Sequence, residues 1–178
     1  MKATLRIPAP ETECGYKEIE VDITEEELAK LAEPQNTSKP TGYERGDEDD
    51  LYFVDRCDGD VGSSTEDMVE YDNAYYNAAN YYRSRELAEN NARADKLMRQ
   101  LRRFAVEHRE CELDWDVQTK LKWYISFDYK YHKLYTCNSW ACCIFGSIYF
   151  DSLETAQSAI EAFHDELIWY FTAYRDSL

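Results

Sequence analysis

The feature that most restricts the fold of this chain is an eight-residue pattern that occurs twice. Tyr81-Tyr82-Arg83-Ser84-Arg85-Glu86-Leu87-Ala88 returns 68 residues later as Tyr149-Phe150-Asp151-Ser152-Leu153-Glu154-Thr155-Ala156, an aromatic pair followed by Ser, Glu and Ala at matching places. A serine just ahead of a helical period is an N-cap, so each copy ends a strand and launches a helix. After Ser84, the residues Leu87, Ala94, Leu97, Met98, Leu101, Phe104 and Ala105 recur at three- and four-residue steps, predicting a helix to about His108. After Ser152, a broad apolar stripe runs through Ala156, Ala159, Ile160, Phe163, Leu167, Ile168 and Phe171. Strands precede both. Residues 51–55 read as one strand, Asp58-Gly59 as a type I′ hairpin turn and Val61 as the return. Residues 122–129, 132–136 and 144–150 read as three strands rich in aromatic and β-branched side chains. The expectation is an α+β fold of antiparallel β-hairpins and sheet with two main helices; the echo is read either as two related hairpin-plus-helix units or as one way of launching a helix used twice.

Charge divides the chain differently. Of 36 acidic residues, 21 fall in residues 1–72 against 7 basic ones, whereas residues 73–178 hold 15 acidic and 13 basic. A formal net charge of −16 repels nucleic-acid phosphates and anionic membranes, which argues against direct binding to free nucleic acid. With 44% hydrophobic and 15% aromatic residues the chain has the apolar surface to fold. Residues 1–33 are read as a small acidic unit: strands over 2–7 and 16–23, then a short helix opened by Thr24 with Glu27 completing a capping box. Residues 34–50, rich in Pro, Gly and acid, are read as an acidic linker, and 51–178 as the main domain. No 18-residue apolar run and no secretory h-region is present, so a cytoplasmic location is expected, with reduced cysteines.

The chemistry-bearing candidates are weak. A calcium loop starting at Asp58 would place Val69 where a bidentate glutamate is required. The acids Glu110, Glu112, Asp114 and Asp116 alternate with Cys111, Leu113 and Trp115, as in an extended segment, but in so acidic a chain such pairs arise by chance. Cys142-Cys143 sits in the apolar run 140–145 and reads as buried packing rather than as a nucleophile served by His132. No G-x-S-x-G, P-loop, G-x-G-x-x-G or H-E-x-x-H motif occurs. The reading is therefore a protein that is not an enzyme, with no catalytic residue, metal or cofactor. The 15 tyrosines, clustered beside acidic segments, have the composition of a protein interface.

The hairpin LYFVDRCDGDV, the helix start NYYRSRELAE, Leu101 to Ala105, the D-W-D ahead of KWYISFDY and the closing GSIYFDSLETA together resemble uncharacterised proteins of phages and prophages in Firmicutes, over about two thirds of the chain. The chain departs from that pattern at Ala78-Ala79, where a Gly more often precedes the Asn. The resemblance implies a phage protein. Joined to the charge, it implies an anti-CRISPR-like, anti-defence inhibitor that binds a basic host protein, an RNA-guided nuclease, through an acidic phosphate-mimicking surface. The residues expected to carry that surface are Tyr43, Glu44, Asp47, Glu48, Asp49, Asp50, Asp58, Asp60, Glu66, Asp67, Tyr71 and Tyr75. Two alternatives are a small-molecule or signal-nucleotide binder built on Arg93, Lys96, Arg99 and Arg103, and an accessory structural or assembly protein of the phage.

Overall fold

The computed structural model describes residues 2–8, 16–22, 24, 40–117 and 119–177, and divides into two compact units, Met1–Pro40 and Thr41–Leu178. In the first unit, β1 (Lys2–Pro8) pairs antiparallel with β2 (Tyr16–Asp22), with Leu5 opposite Ile19. The short helix expected after Thr24 falls outside the described residues.

The second unit is an α+β fold built twice on one plan. Strands β3 (Leu51–Asp55) and β4 (Val61–Thr65) form a hairpin; helices α1 (Glu70–Asn77) and α2 (Arg85–Glu107) come next. Then β5 (Lys122–Asp128) and β6 (Lys133–Ser139) form a second hairpin, succeeded by β7 (Tyr149–Phe150), α3 (Leu153–Ala162), α4 (His164–Trp169) and one π-helical turn, Tyr170–Tyr174. In the second half the strand order is β6-β5-β7, with Trp123 opposite Phe150. The first half repeats it. Tyr82 exchanges both backbone hydrogen bonds with Phe53 (2.8 and 3.0 Å), so the aromatic pair again adds a third strand beside the first. Directly afterwards Ser84 Oγ accepts the Leu87 N–H and Ser152 Oγ accepts the Thr155 N–H. The repeated octapeptide is thus a strand end and a helix cap in both places.

Helix α2 spans both halves. Its first turns bury Ala88, Ala92 and Ala94, whose small side chains admit β3 at close range. Its later turns place Leu97, Leu101 and Ala105 in the main core with Phe127, Leu134, Phe150, Ala156, Ala159 and Leu167. Fully burying each large apolar side chain here stabilises by about 1.5–3 kcal/mol. A smaller core holds Tyr52, Val54 and Tyr81.

Five expectations need correction. The hairpin between β3 and β4 is not a two-residue type I′ turn. Such a turn requires two successive residues with positive φ, whereas here Cys57 (67°) and Gly59 (99°) are separated by Asp58, and Arg56 N–H reaches Asp60 C=O across a longer loop. The strand read over 144–150 shortens to Tyr149–Phe150, because Gly146 turns at φ +81° and the Ile144 N–H donates to the Tyr149 hydroxyl instead of to a neighbouring strand. The closing helix breaks at Phe163, where φ −120° and ψ 21° end α3. Cys142 and Cys143 are exposed in that 140–148 loop rather than buried. Finally, residues 41–50 are no linker. They belong to the second unit, pinned by Gly46 N–H to the Tyr81 hydroxyl (3.0 Å), Arg83 N–H to Gly42 C=O (2.8 Å) and Arg83 to Asp50 (2.9 Å). Helix α1, by contrast, has no signal in the sequence. Its N-cap is Val69, which offers no side-chain acceptor, and only Asp72 reaching back to the Val69 N–H marks the start.

Candidate protein-binding surface

The surface is organised by a buried polar cluster beneath it. Tyr52 lies flat on Tyr81 with ring centroids 4.2 Å apart, and its hydroxyl donates to Asp72 Oδ1 at 2.7 Å. Asp72 Oδ2 accepts the backbone N–H groups of Asp67 and Val69. Beside it Glu66, fully buried, takes two hydrogen bonds from Arg45 (2.8 and 3.2 Å) and one from the Met68 N–H. The Arg45 guanidinium holds the Glu66 carboxyl below its ordinary value, and the Tyr52 hydroxyl does the same for Asp72. Burial and the neighbouring Asp72 in turn push the Tyr52 hydroxyl up. Both acids are ionised, satisfied and inaccessible.

This cluster fixes two chain segments side by side. Asp49 N–H donates to Glu66 C=O, and Glu66 N–H to Asp50 C=O, each at 2.8 Å. The pairing gathers the exposed Asp47, Glu48 and Asp49 next to the exposed Asp67 and Glu70. None of these five carboxylates has a hydrogen-bond or ion-pair partner among the described residues. Next to them along the chain are four exposed apolar side chains, Leu51 (52% exposed), Met68 (47%), Val69 (49%) and Tyr71 (54%). Asp49 (φ 73°) and Met68 (φ 55°) both hold left-handed backbone, an arrangement costing about 1–2 kcal/mol per non-glycine residue that the surrounding hydrogen bonds sustain.

Of the expected acidic surface, Asp47, Glu48, Asp49, Asp67 and Tyr71 come together here. The others do not join it. Glu66 is buried against Arg45. Asp50 is hydrogen-bonded by the Asp47 N–H and by Arg83. Glu44 accepts from the N–H and hydroxyl of Thr41 and the N–H of Gly42, which lowers its pKa to about 2. Asp58 and Asp60 occupy the opposite end of the hairpin, about 16 Å away at the rise of a five-residue strand. There Asp58 lines a 320 Å³ depression together with Lys96, Arg99 and Arg103. Tyr43 packs edge-on against Tyr82 with its hydroxyl accepting from Asn91, and Tyr75 is half-buried against Tyr71 and Tyr52. Sequence reasoning missed Glu70, Leu51, Met68 and Val69. Met68 and Val69 reach the surface through a turn with no motif, and Leu51 alone is signalled, by strand alternation opposite buried Tyr52.

The alternative cationic site is also divided. Arg93 forms a bidentate pair with Glu166 (2.8 and 2.9 Å) and covers Trp169 at 3.9 Å, so its guanidinium serves internal packing. Lys96, Arg99 and Arg103 remain on the exposed helix face. Among the described residues no three His, Cys, Asp or Glu side chains converge as a metal site, and no helix is long and apolar enough to cross a membrane. Glu110 and Cys111 donate their N–H groups to Asp151 Oδ2, tying the 110–117 segment to the start of α3 as a loop rather than a carboxylate pair. Comparisons with protein-family models, with curated proteins and with solved structures give no match.

Proposed function

We propose that this chain is a non-catalytic protein that binds a basic partner protein through the patch formed by Asp47, Glu48, Asp49, Asp67 and Glu70 around Leu51, Met68, Val69 and Tyr71. The observation that carries the reading is the absence, among the described residues, of internal partners for the five gathered carboxylates, next to apolar side chains exposed by roughly half. Charged residues at a rim with an aromatic and aliphatic centre are the anatomy of a protein interface. The partner surface that fits is one lined with Lys and Arg and carrying an apolar recess. In line with the phage resemblance, the partner is the nucleic-acid channel of a bacterial defence nuclease, an RNA-guided one, in which the carboxylates stand where backbone phosphates would.

The test is capture by the tagged chain from lysate of a defence-carrying bacterium across a salt series, with the bound proteins identified by mass spectrometry. A basic nuclease, released as salt rises and displaced by nucleic acid, is the expected catch. The quadruple substitution Asp47→Lys, Glu48→Lys, Asp49→Lys, Asp67→Lys, all at exposed positions, is expected to abolish capture while leaving the circular dichroism spectrum unchanged. Capture at undiminished strength by that variant would refute the reading.

A further inference from the structure

We propose that two copies of this chain pair through the uncharged face around residues 139–148, the Phe145 of each copy seated in a cavity of the other. Residues 134–150 form the longest run without a charged side chain, 17 residues in a chain that is 31% charged. The loop within that run carries Phe145 with its ring completely exposed (102%), alongside Trp140 (63%) and Ile144 (46%). Water-exposed aromatic and aliphatic side chains clustered on one loop are costly unless something covers them.

Beside this knob lies a hole. A cavity of about 400 Å³ opens between α2, β5, the loop and α4, walled by Leu101, Ile125, Phe150, Leu167 and Phe171, with Ser126 at its wall. The loop itself, through Ile144 to Ile148, forms one side of the mouth. An apolar cavity of about 150 Å³ already holds a benzene ring, so this one accommodates a phenyl group with room for a neighbouring side chain. Gly146, at φ +81° with open space around it, turns the loop at the residue after Phe145, whose ring is left in water at the edge of the mouth.

The occupant is a second copy for two reasons. First, knob and hole lie side by side on one chain, the loop that carries Phe145 forming one side of the cavity mouth, so a two-fold rotation that seats one Phe145 in the other copy's cavity seats the second reciprocally; this reciprocity is the requirement of a closed, isologous dimer. Second, copies carrying −16 each repel one another over most approaches. The fifteen residues lining the cavity include no Asp, Glu, Lys, Arg or His, so this face permits contact without like-charge repulsion. The pairing uses a different surface from the acidic patch and stands independently of it.

Sedimentation velocity of the full chain over a concentration series tests the pairing. The expected species has twice the 21.0 kDa mass of one chain. Phe145→Asp, at a side chain fully exposed in its own copy, is expected to weaken dimerisation at least about 30-fold, the scale of an interface hot spot. Ser126→Leu, which fills the hole from its wall, is expected to do the same from the opposite side of the contact. Circular dichroism and thermal melting of both variants check that the fold is retained. A wild-type chain that stays monomeric up to concentrations on the order of 100 µM overturns the proposal, as does a dimer that survives Phe145→Asp. A monomer found by native mass spectrometry to carry an apolar small molecule, lost in Ser126→Leu, would also overturn it by assigning the cavity to that ligand.

Discussion

Ala79 holds φ +54° at the position just past the C-cap of α1, where the backbone hydrogen bonds close a Schellman motif: Asn80 N–H to Tyr75 C=O and Ala79 N–H to Tyr76 C=O, each 3.0 Å. Glycine is the residue that adopts this conformation without a Cβ clash. The next three residues sustain the strain. Asn80 clamps β3, donating from its side-chain amide to Asp55 C=O (2.9 Å) and accepting the Asp55 N–H (2.7 Å), and Tyr81 and Tyr82 then bury themselves. Relief of left-handed strain by Ala79→Gly is worth about 1–2 kcal/mol, reduced by the extra freedom glycine has when unfolded, about 0.5–1 kcal/mol. The expected net gain is about 0.5–1 kcal/mol, or roughly 1–4 °C in Tm. Differential scanning calorimetry reads this directly, and a variant less stable than the parent would show that the left-handed turn is not strained. The departure of the sequence from its resembling pattern at this site thus coincides with a physical anomaly in the backbone.

At the scale of elements, the two serine caps make the repeated plan testable. Ser84→Ala and Ser152→Ala each remove one acceptor for an orphan helical N–H, at an expected cost of about 1 kcal/mol apiece in urea denaturation. Ser152 also shares a 2.8 Å hydrogen bond with the Thr155 hydroxyl, so its loss should be the larger of the two; equal or negligible costs would mean the caps do not position the helices. These caps, the hairpin strands and α2 are readable from sequence because each rests on a local signal: alternation, a 3.6-residue period or a capping serine. Where the outcome depends on distant partners the sequence is silent. Helix α1 lacks a capping side chain at Val69, and the 41–50 segment has the composition of a linker yet is ordered by Tyr81, Glu66 and Arg83, as many as 41 residues away. The acidic site is half legible for the same reason. Composition locates the carboxylates, but only the fold shows that Glu66 faces Arg45 inside while Asp67, its neighbour, faces out.

For the whole molecule, two electrostatic effects oppose each other as pH falls. Neutralising exposed carboxylates relieves the self-repulsion of a chain at −16, which favours the folded state. Against this, five carboxyls in the second unit have folded pKa values below their ordinary ones. Glu44 is lowered by the Thr41 N–H, Asp50 by the Asp47 N–H and Arg83, Glu66 by Arg45 and Asp72 by the Tyr52 hydroxyl. Asp151 is pushed up by burial but lowered further by the N–H groups of Cys111 and Glu110. A depressed folded pKa contributes stability that is fully present above the unfolded value, 3.8 for Asp and 4.5 for Glu, and is lost as pH falls through the folded value. Both effects are small from neutrality to about pH 5, above these unfolded values, and loss of the paired carboxylates governs below it. Urea midpoints are expected to be flat or slightly rising from pH 7 to 5 and to fall steadily from about pH 4.5 down to about pH 2, where Glu44 protonates. Glu66→Gln separates the two effects: it should lower the midpoint at pH 7, because Arg45 is left facing a neutral amide, and it should make the acid-side decline shallower, because one of the coupled protons is gone. A wild-type midpoint at pH 3 equal to that at pH 6, or a Glu66→Gln decline as steep as the parent's, would mean that the buried cluster beneath the acidic patch does not hold the two segments of that patch together.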